Sequence, residues 1–222
     1  MLIDCAAYID GVRQTPMDIE AVSDFLAAPQ PPGAFVWVAL FEPPPSLLSK
    51  MQEEFNLHEL AIEDTNRGSQ RPKLEEYGST LFVVLHTVER HGNEFIDGEL
   101  HIYCGEHFVL TVRHRAETGF RGVRAELERE PAFLALGPGA ALHGLIDTVV
   151  DRLFPEADAL EDRLDSLEAT IFEARTDRRP AAESLYALKR DTMCVRRAVT
   201  PLVEVCGRLL SHKHPIFRDA LR

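Results

Sequence analysis

Phe35-Val36-Trp37-Val38-Ala39-Leu40-Phe41 is a near-continuous apolar run, closed by Pro43-Pro44-Pro45. A run that does not alternate with polar residues fits a buried strand, and the prolines forbid its continuation. On the N-terminal side, Leu2 to Ile9 reads as a strand that Asp10-Gly11 turns into a short return strand near Val12. Asp18 to Ala27 suits a helix, because Ile19, Val22 and Leu26 recur at helical spacing. On the C-terminal side, Ser46 to Phe55 and Leu57 to Asn66 read as two short helices. After Pro72, strands are predicted at Leu74 to Tyr77, Thr80 to Val88, Leu100 to Cys104 and Phe108 to Val112, with Gly105-Glu106 turning the last two. These elements predict a mixed sheet with helices packed against it.

Beyond Phe120 the pattern lengthens and becomes helical. Leu142, Ile146, Val149, Leu153, Ala157, Leu160, Leu164, Leu167 and Ile171 form one seam. Leu185, Leu188, Val195, Val199, Leu202, Cys206 and Leu209 form a second. The break from Asp177 to Pro180 separates them, and Pro180 suits the first turn of a helix. Two long antiparallel helices follow, with coiled-coil-like seams that Pro155 and Pro201 should kink or loosen. The second pattern runs on to Arg222 without a cap, so the chain reads as ending inside a helix. The expected division is an α/β domain over 1–135 and a long helical hairpin over 136–222.

The chain has 222 residues, 45% of them hydrophobic and 27% charged, which is the composition of a soluble globular protein. Its 24 Lys and Arg against 36 Asp and Glu give a net charge of −12. That balance disfavours a nucleic-acid partner, which needs a basic face, and favours cations. The uncharged stretch from Ala132 to Ile146 is interrupted by Gly137, Pro138, Gly139, His143 and Gly144, so it is no membrane span. No basic, apolar-cored leader opens the sequence. Cys5, Cys104, Cys194 and Cys206 are scattered, as reduced buried thiols are.

Enzyme signatures are missing from the sequence. Neither a phosphate-binding glycine loop, nor a Gly-x-Ser-x-Gly elbow, nor a His-x-x-x-His pair with a nearby Glu is present. The histidines read as scattered surface or half-buried residues. From Asp151 to Glu173, eight acids stand against Arg152 and Arg163. They suit either a solvated coiled-coil face or a negative field that concentrates hard cations. Glu63-Asp64 is an adjacent acidic pair within Leu60 to Asp64, weak as a signal by itself.

Leu57-His58-Glu59-Leu60-Ala61-Ile62-Glu63-Asp64, then Gln70-Arg71-Pro72-Lys73-Leu74-Glu75-Glu76-Tyr77 and Leu81-Phe82-Val83-Val84-Leu85, resembles the CorA family of magnesium and cobalt transporters. The resemblance continues through Phe108 to Val112, Leu145-Ile146-Asp147, Pro201-Leu202 and Phe217-Arg218-Asp219. Glu59 departs from it, since the family usually has Pro after this His. The family's two membrane helices and the Gly-Met-Asn loop between them do not occur in these residues.

The resemblance implies an α/β/α sandwich followed by long helices, the last a stalk leading to the membrane. It implies a cytoplasmic, cation-sensing domain of a homopentameric transporter at the inner membrane, regulated by weakly bound Mg²⁺ or Co²⁺. By the same resemblance, Asp64 faces Asp219 of the next subunit, and Glu63 and Asp147 belong to a second site. A zinc-transporting relative and an acidic helical scaffold with no ion role are the alternatives.

Overall fold

The Phe35–Phe41 run lies inside a seven-stranded sheet of order β2-β1-β3-β7-β6-β5-β4. The strands are β1 (Leu2–Ile9), β2 (Val12–Pro16), β3 (Phe35–Phe41), β4 (Lys73–Tyr77), β5 (Thr80–His91), β6 (Glu94–Cys104) and β7 (Phe108–His114). Central β3 and β7 run parallel, and every other neighbouring pair is antiparallel. The computed structural model describes residues 1–92, 94–173, 179–211 and 214–217.

Alternation along the strands divides the core into two layers. Phe35, Trp37, Leu81, Val83, Leu100 and Ile102 face one side. Val36, Val38, Leu40, Phe82, Val84 and Leu110 face the other. Burial of a side chain such as Phe35 or Leu100 contributes about 1.5–3 kcal/mol relative to leaving it in water. Both faces therefore need cover, which is why the central strands read as unbroken apolar runs.

The second face is covered by α1 (Val22–Ala27), α2 (Pro45–Phe55) and α3 (Glu59–Arg67), through Val22, Leu48, Met51, Phe55, Ala61 and Ile62. The first is covered by α4 (Arg121–Leu127), α5 (Pro131–Leu134), α6 (Pro138–Glu173) and α7 (Arg179–Ser211), through Val123, Leu134, Leu145, Val149, Leu202 and Val205. This is the expected α/β/α arrangement with long helices at its C-terminal end. The sheet and the two long helices share one continuous core.

Late residues of α6 meet early residues of α7, so the hairpin is antiparallel. Arg163 reaches the buried Asp191 at 2.7 Å, and Ile146 shares a cavity wall with Cys206. Pro180 occupies the first turn of α7, where its missing N–H costs nothing. Pro155 and Pro201 sit within helices that continue through them. Packing along the seam, through Leu153, Leu160, Leu202 and Val205, outweighs the single hydrogen bond each proline removes.

Several boundaries differ from the sequence reading. Asp18 to Ala27 splits into a short 3₁₀ turn at Ile19–Ala21 and α1. The β5–β6 hairpin extends past Val88 to a His91↔Glu94 pair, and in its outer half only Phe95 and Ile96 are apolar among polar and charged residues and Gly98, so apolar patterning does not register it. Among the described residues the second long helix extends to Ser211 and a turn lies at 215–217, while the last part of the expected run, 218–222, falls outside them. Pro215 disfavours helical backbone at His214.

Candidate functional site

Glu63 and Asp64 lie on α3, and the sequence fixes both ends of that helix. His58 caps the start: its Nδ1 accepts the Leu60 N–H at 3.2 Å while its ring stacks on Tyr77, with centroids 4.3 Å apart. Glu59 opens the first turn as an acid, which suits the helix dipole there. Gly68 closes the helix at φ 61°, donating its N–H to Asp64 O at 3.0 Å.

Beneath α3 runs a buried polar network. Glu99, His101 and Tyr103 alternate along β6 on the α3 side, and Thr65 of α3 joins them; all four are buried. His101 Nε2 lies 3.0 Å from Glu99 Oε2, and Thr65 Oγ1 lies 3.0 Å from His101 Nδ1. Tyr103 donates to Ala61 O at 2.7 Å. Neutral His101 can donate through Nε2 to Glu99 and accept at Nδ1, where the Thr65 hydroxyl, also 2.6 Å from the Tyr103 oxygen and 3.0 Å from Ala61 O, shares its one proton among three acceptors. Glu99 also accepts the Ser69 N–H at 2.8 Å, the Gln70 N–H at 3.2 Å and a hydrogen bond from Arg115.

Burial alone would raise the Glu99 carboxyl. The hydrogen bonds from His101, Gln70 and Ser69 and the charge nearby overturn that and hold it at about 2. Burial pushes His101 below its ordinary value, against the pull of Glu99. An ionised Glu99 is therefore the fixed point that ties α3 and the loop after it to the sheet.

Above this network the two candidate carboxylates are each met by a cation of their own chain. Asp64 accepts a hydrogen bond from Lys73 at 2.6 Å, with both side chains about one-quarter exposed or less (21% and 24%). Lys73 also reaches Glu75 at 2.7 Å. Glu63 pairs with Arg67 at 3.1 Å one helical turn on, and is more than half exposed. Asp147 is exposed on α6, on the opposite face of the sheet from α3. Asp219 lies outside the described residues. One chain thus joins Glu63 to Asp64 and separates both from Asp147, so a site combining α3 with α6 requires a second copy.

Among the described residues, no group of three or more His, Cys, Asp and Glu is arranged to hold a metal ion. The carboxylates fit a weak, largely hydrated hard cation, which takes only one or two of them per chain, and do not fit a closed cage. The sequence reading overlooked Lys73 and the Glu99–His101–Thr65 network. Of the histidines read as surface or half-buried, His101 and His214 are buried. The available signal was Glu99-x-His101-x-Tyr103, three polar-headed residues at period two, which places them on one strand face.

The CorA-like Mg²⁺ transporter protein model matches residues 32–221. The chain belongs to the CorA family. It is 32% identical over 187 residues to the putative metal ion transporter YfjQ of Bacillus subtilis, covering 83% of this chain and 57% of that one. It is 26% identical over 176 residues to the cobalt/magnesium transport protein CorA of Thermotoga maritima, covering 77% and 49% respectively. It therefore spans about half the length of these curated relatives. The zinc transport protein ZntB of Photorhabdus laumondii is also similar, at 27% over 147 residues, covering 65% of this chain and 43% of that protein. The fold superposes on the soluble domain of CorA from Methanocaldococcus jannaschii with a TM-score of 0.73 at 18% identity, over 99% of this chain and 84% of that one. Among the described residues, no helix is long and apolar enough to cross a membrane.

Proposed function

We propose that this chain is the cation-sensing and gating part of a divalent metal ion transporter that carries Mg²⁺ or Co²⁺. In this reading it lies on the cytoplasmic face of the inner membrane and assembles with copies of itself as a homopentamer. Membrane contact comes from parts of the transporter beyond these residues. The supporting observation is Asp64, a surface carboxylate on a helix that a buried network holds in place, beside Glu63 and countered by Lys73.

The switch follows from charge. Two carboxylates brought within about 4 Å repel by roughly 1 kcal/mol in water and roughly 4 kcal/mol at the effective dielectric of a protein surface. A hydrated divalent ion between Asp64 of one copy and Asp219 of the next, or between Glu63 and Asp147, converts that repulsion to attraction. High Mg²⁺ then favours the closed, symmetric ring, and falling Mg²⁺ shifts the population toward looser, conducting arrangements. ZntB relatives make zinc the second reading, but a donor set of carboxylates alone favours harder ions.

Lys73 competes with the ion for Asp64, which gives the test. For the wild-type chain, Mg²⁺ at ten times its dissociation constant is expected to raise the melting temperature by roughly 3–6 °C. Asp64→Ala should remove most of that gain. Lys73→Met should cost less than about 1 kcal/mol of stability yet move the Mg²⁺ midpoint to lower concentration, because the pair it breaks is partly exposed. A Lys73→Met midpoint at or above that of wild type would take Asp64 out of the sensor. A gain produced by micromolar Zn²⁺ but not by millimolar Mg²⁺ would favour the zinc reading.

A further inference from the structure

A cavity of about 380 Å³ opens beside the C-terminal halves of β3 and β7, on the side covered by α4. Its position has a topological reason. After β3 the chain crosses to α2 and α3 on one face of the sheet, and after β7 it goes to α4 on the other. Two parallel neighbours whose onward connections diverge leave a crevice at their carboxyl ends, where ligands of open α/β sheets bind.

The lining runs against the charge of the whole chain. In a protein of net charge −12, Arg113, Arg121 and Arg124 all reach this one cavity, with Asp4 and Glu117 as its acids. Asp4 is already shared between Arg13 at 2.8 Å and Arg124 at 3.0 Å. Arg124 is buried and stacks on Trp37, its guanidinium carbon 4.3 Å from the ring centroid. Its Nη1, although near Asp4, makes no aligned hydrogen bond, and the buried indole N–H of Trp37 has none either. Burial lowers Arg113; Glu89 opposes this, and the like charges of Arg152 and Arg121 lower it further. Arg121 is exposed and makes no ion pair among the described residues. Phe120 and the almost fully buried Trp37, under the Arg124 guanidinium, line the cavity, and Arg152 stacks on Phe120 at 4.4 Å.

Clustered guanidinium groups with too few carboxylates, beside aromatic surface and in a cavity of ligand size, describe a receptor for an anion with an apolar body. We infer that this cavity binds a small organic anion, its carboxylate or phosphate head held by Arg121 and by the N–H groups of Arg113 other than Nη1, which donates to Ala116 O and Glu117 O, and its body against Phe120. The inference is independent of the carboxylates on α3 and holds whichever cation they sense.

Trp37 is the one tryptophan in the chain, so indole fluorescence comes from a residue of this cavity's lining. Phenyl phosphate, benzoate and inorganic phosphate would each be titrated at constant ionic strength, with calorimetry in parallel. A saturable response to phenyl phosphate or benzoate is expected, and the tighter of the two identifies the head group. Arg121→Ala, at an exposed position that leaves the melting temperature unchanged, should weaken binding roughly tenfold, the worth of one charge-assisted hydrogen bond. Inorganic phosphate binding as tightly as phenyl phosphate would overturn the apolar-body assignment. The absence of both heat and saturable fluorescence change, or binding that Arg121→Ala leaves intact, would overturn the site.

Discussion

Replacing Glu99 by Ala is expected to cost about 3 kcal/mol of folding stability, which lowers the melting temperature by roughly 10 °C. The carboxylate is fully buried, and its loss strands His101 Nε2 and the Ser69 and Gln70 N–H groups. Arg115 is about half exposed and can turn to water, which keeps the cost near the lower end for a broken buried ion pair. The pH dependence carries the same sign. Glu99 falls from 4.5 to about 2 on folding, so its contribution is fully present above its unfolded value and disappears as pH falls from about 4.5 through about 2. His101 is also lowered on folding, so the unfolded chain takes up its proton first and stability begins to decline below its ordinary value of 6.5. Denaturant melts between pH 7 and pH 3 check this: wild type should lose stability steeply toward acid, and Glu99→Ala should start lower and run flatter. Parallel curves for the two proteins would remove Glu99 from the network. The same variant should also weaken the Mg²⁺ response, because α3 loses its anchor.

Gly11→Ala is expected to cost about 2–4 kcal/mol, for two separate reasons. Its φ is +73°, a conformation that strains any residue with a Cβ. A Cβ built there would also meet Pro131 O at 1.9 Å and Ala135 N at 2.9 Å, both backbone atoms of the α5 turn that cannot swing aside. Gly78→Ala separates the two contributions. It has a similar φ of +63° but open space around it, so it should cost only the backbone part. Equal losses at the two positions would mean that the approach of the β1–β2 turn to α5 is slack.

The two glycines show how far the sequence can be read. Asp10-Gly11 announces a turn, since local chemistry fixes it, but nothing near Gly11 in the chain announces Pro131. The same division holds elsewhere. Strand β3 and the seams of α6 and α7 are legible because burial imposes a period on adjacent residues. The outer end of the β5–β6 hairpin is not, because what holds it, Arg90 to Glu156 and Phe95 against the core, comes from elements distant in the chain. In the candidate site, Glu63 and Asp64 are legible only through the family's motif, since an exposed Glu-Asp pair has no pattern of its own. Lys73 stands nine residues from Asp64, and the network from Glu99 to Thr65 spans two elements, so only the folded chain brings them together. The separation of α3 from Asp147 by the whole thickness of the sheet is likewise a property of topology.

Sedimentation velocity of this chain at micromolar concentration, with and without millimolar Mg²⁺, tests the central claim most directly. If carboxylates on two copies share the ion, the chain without divalents should be mostly monomer and dimer, because a net charge of −12 makes copies repel. Mg²⁺ should shift it toward larger species, Na⁺ at matched ionic strength should not, and Asp64→Ala should blunt the shift. A tight pentamer in the absence of divalents, or a mass distribution that Mg²⁺ leaves unchanged, would contradict the account.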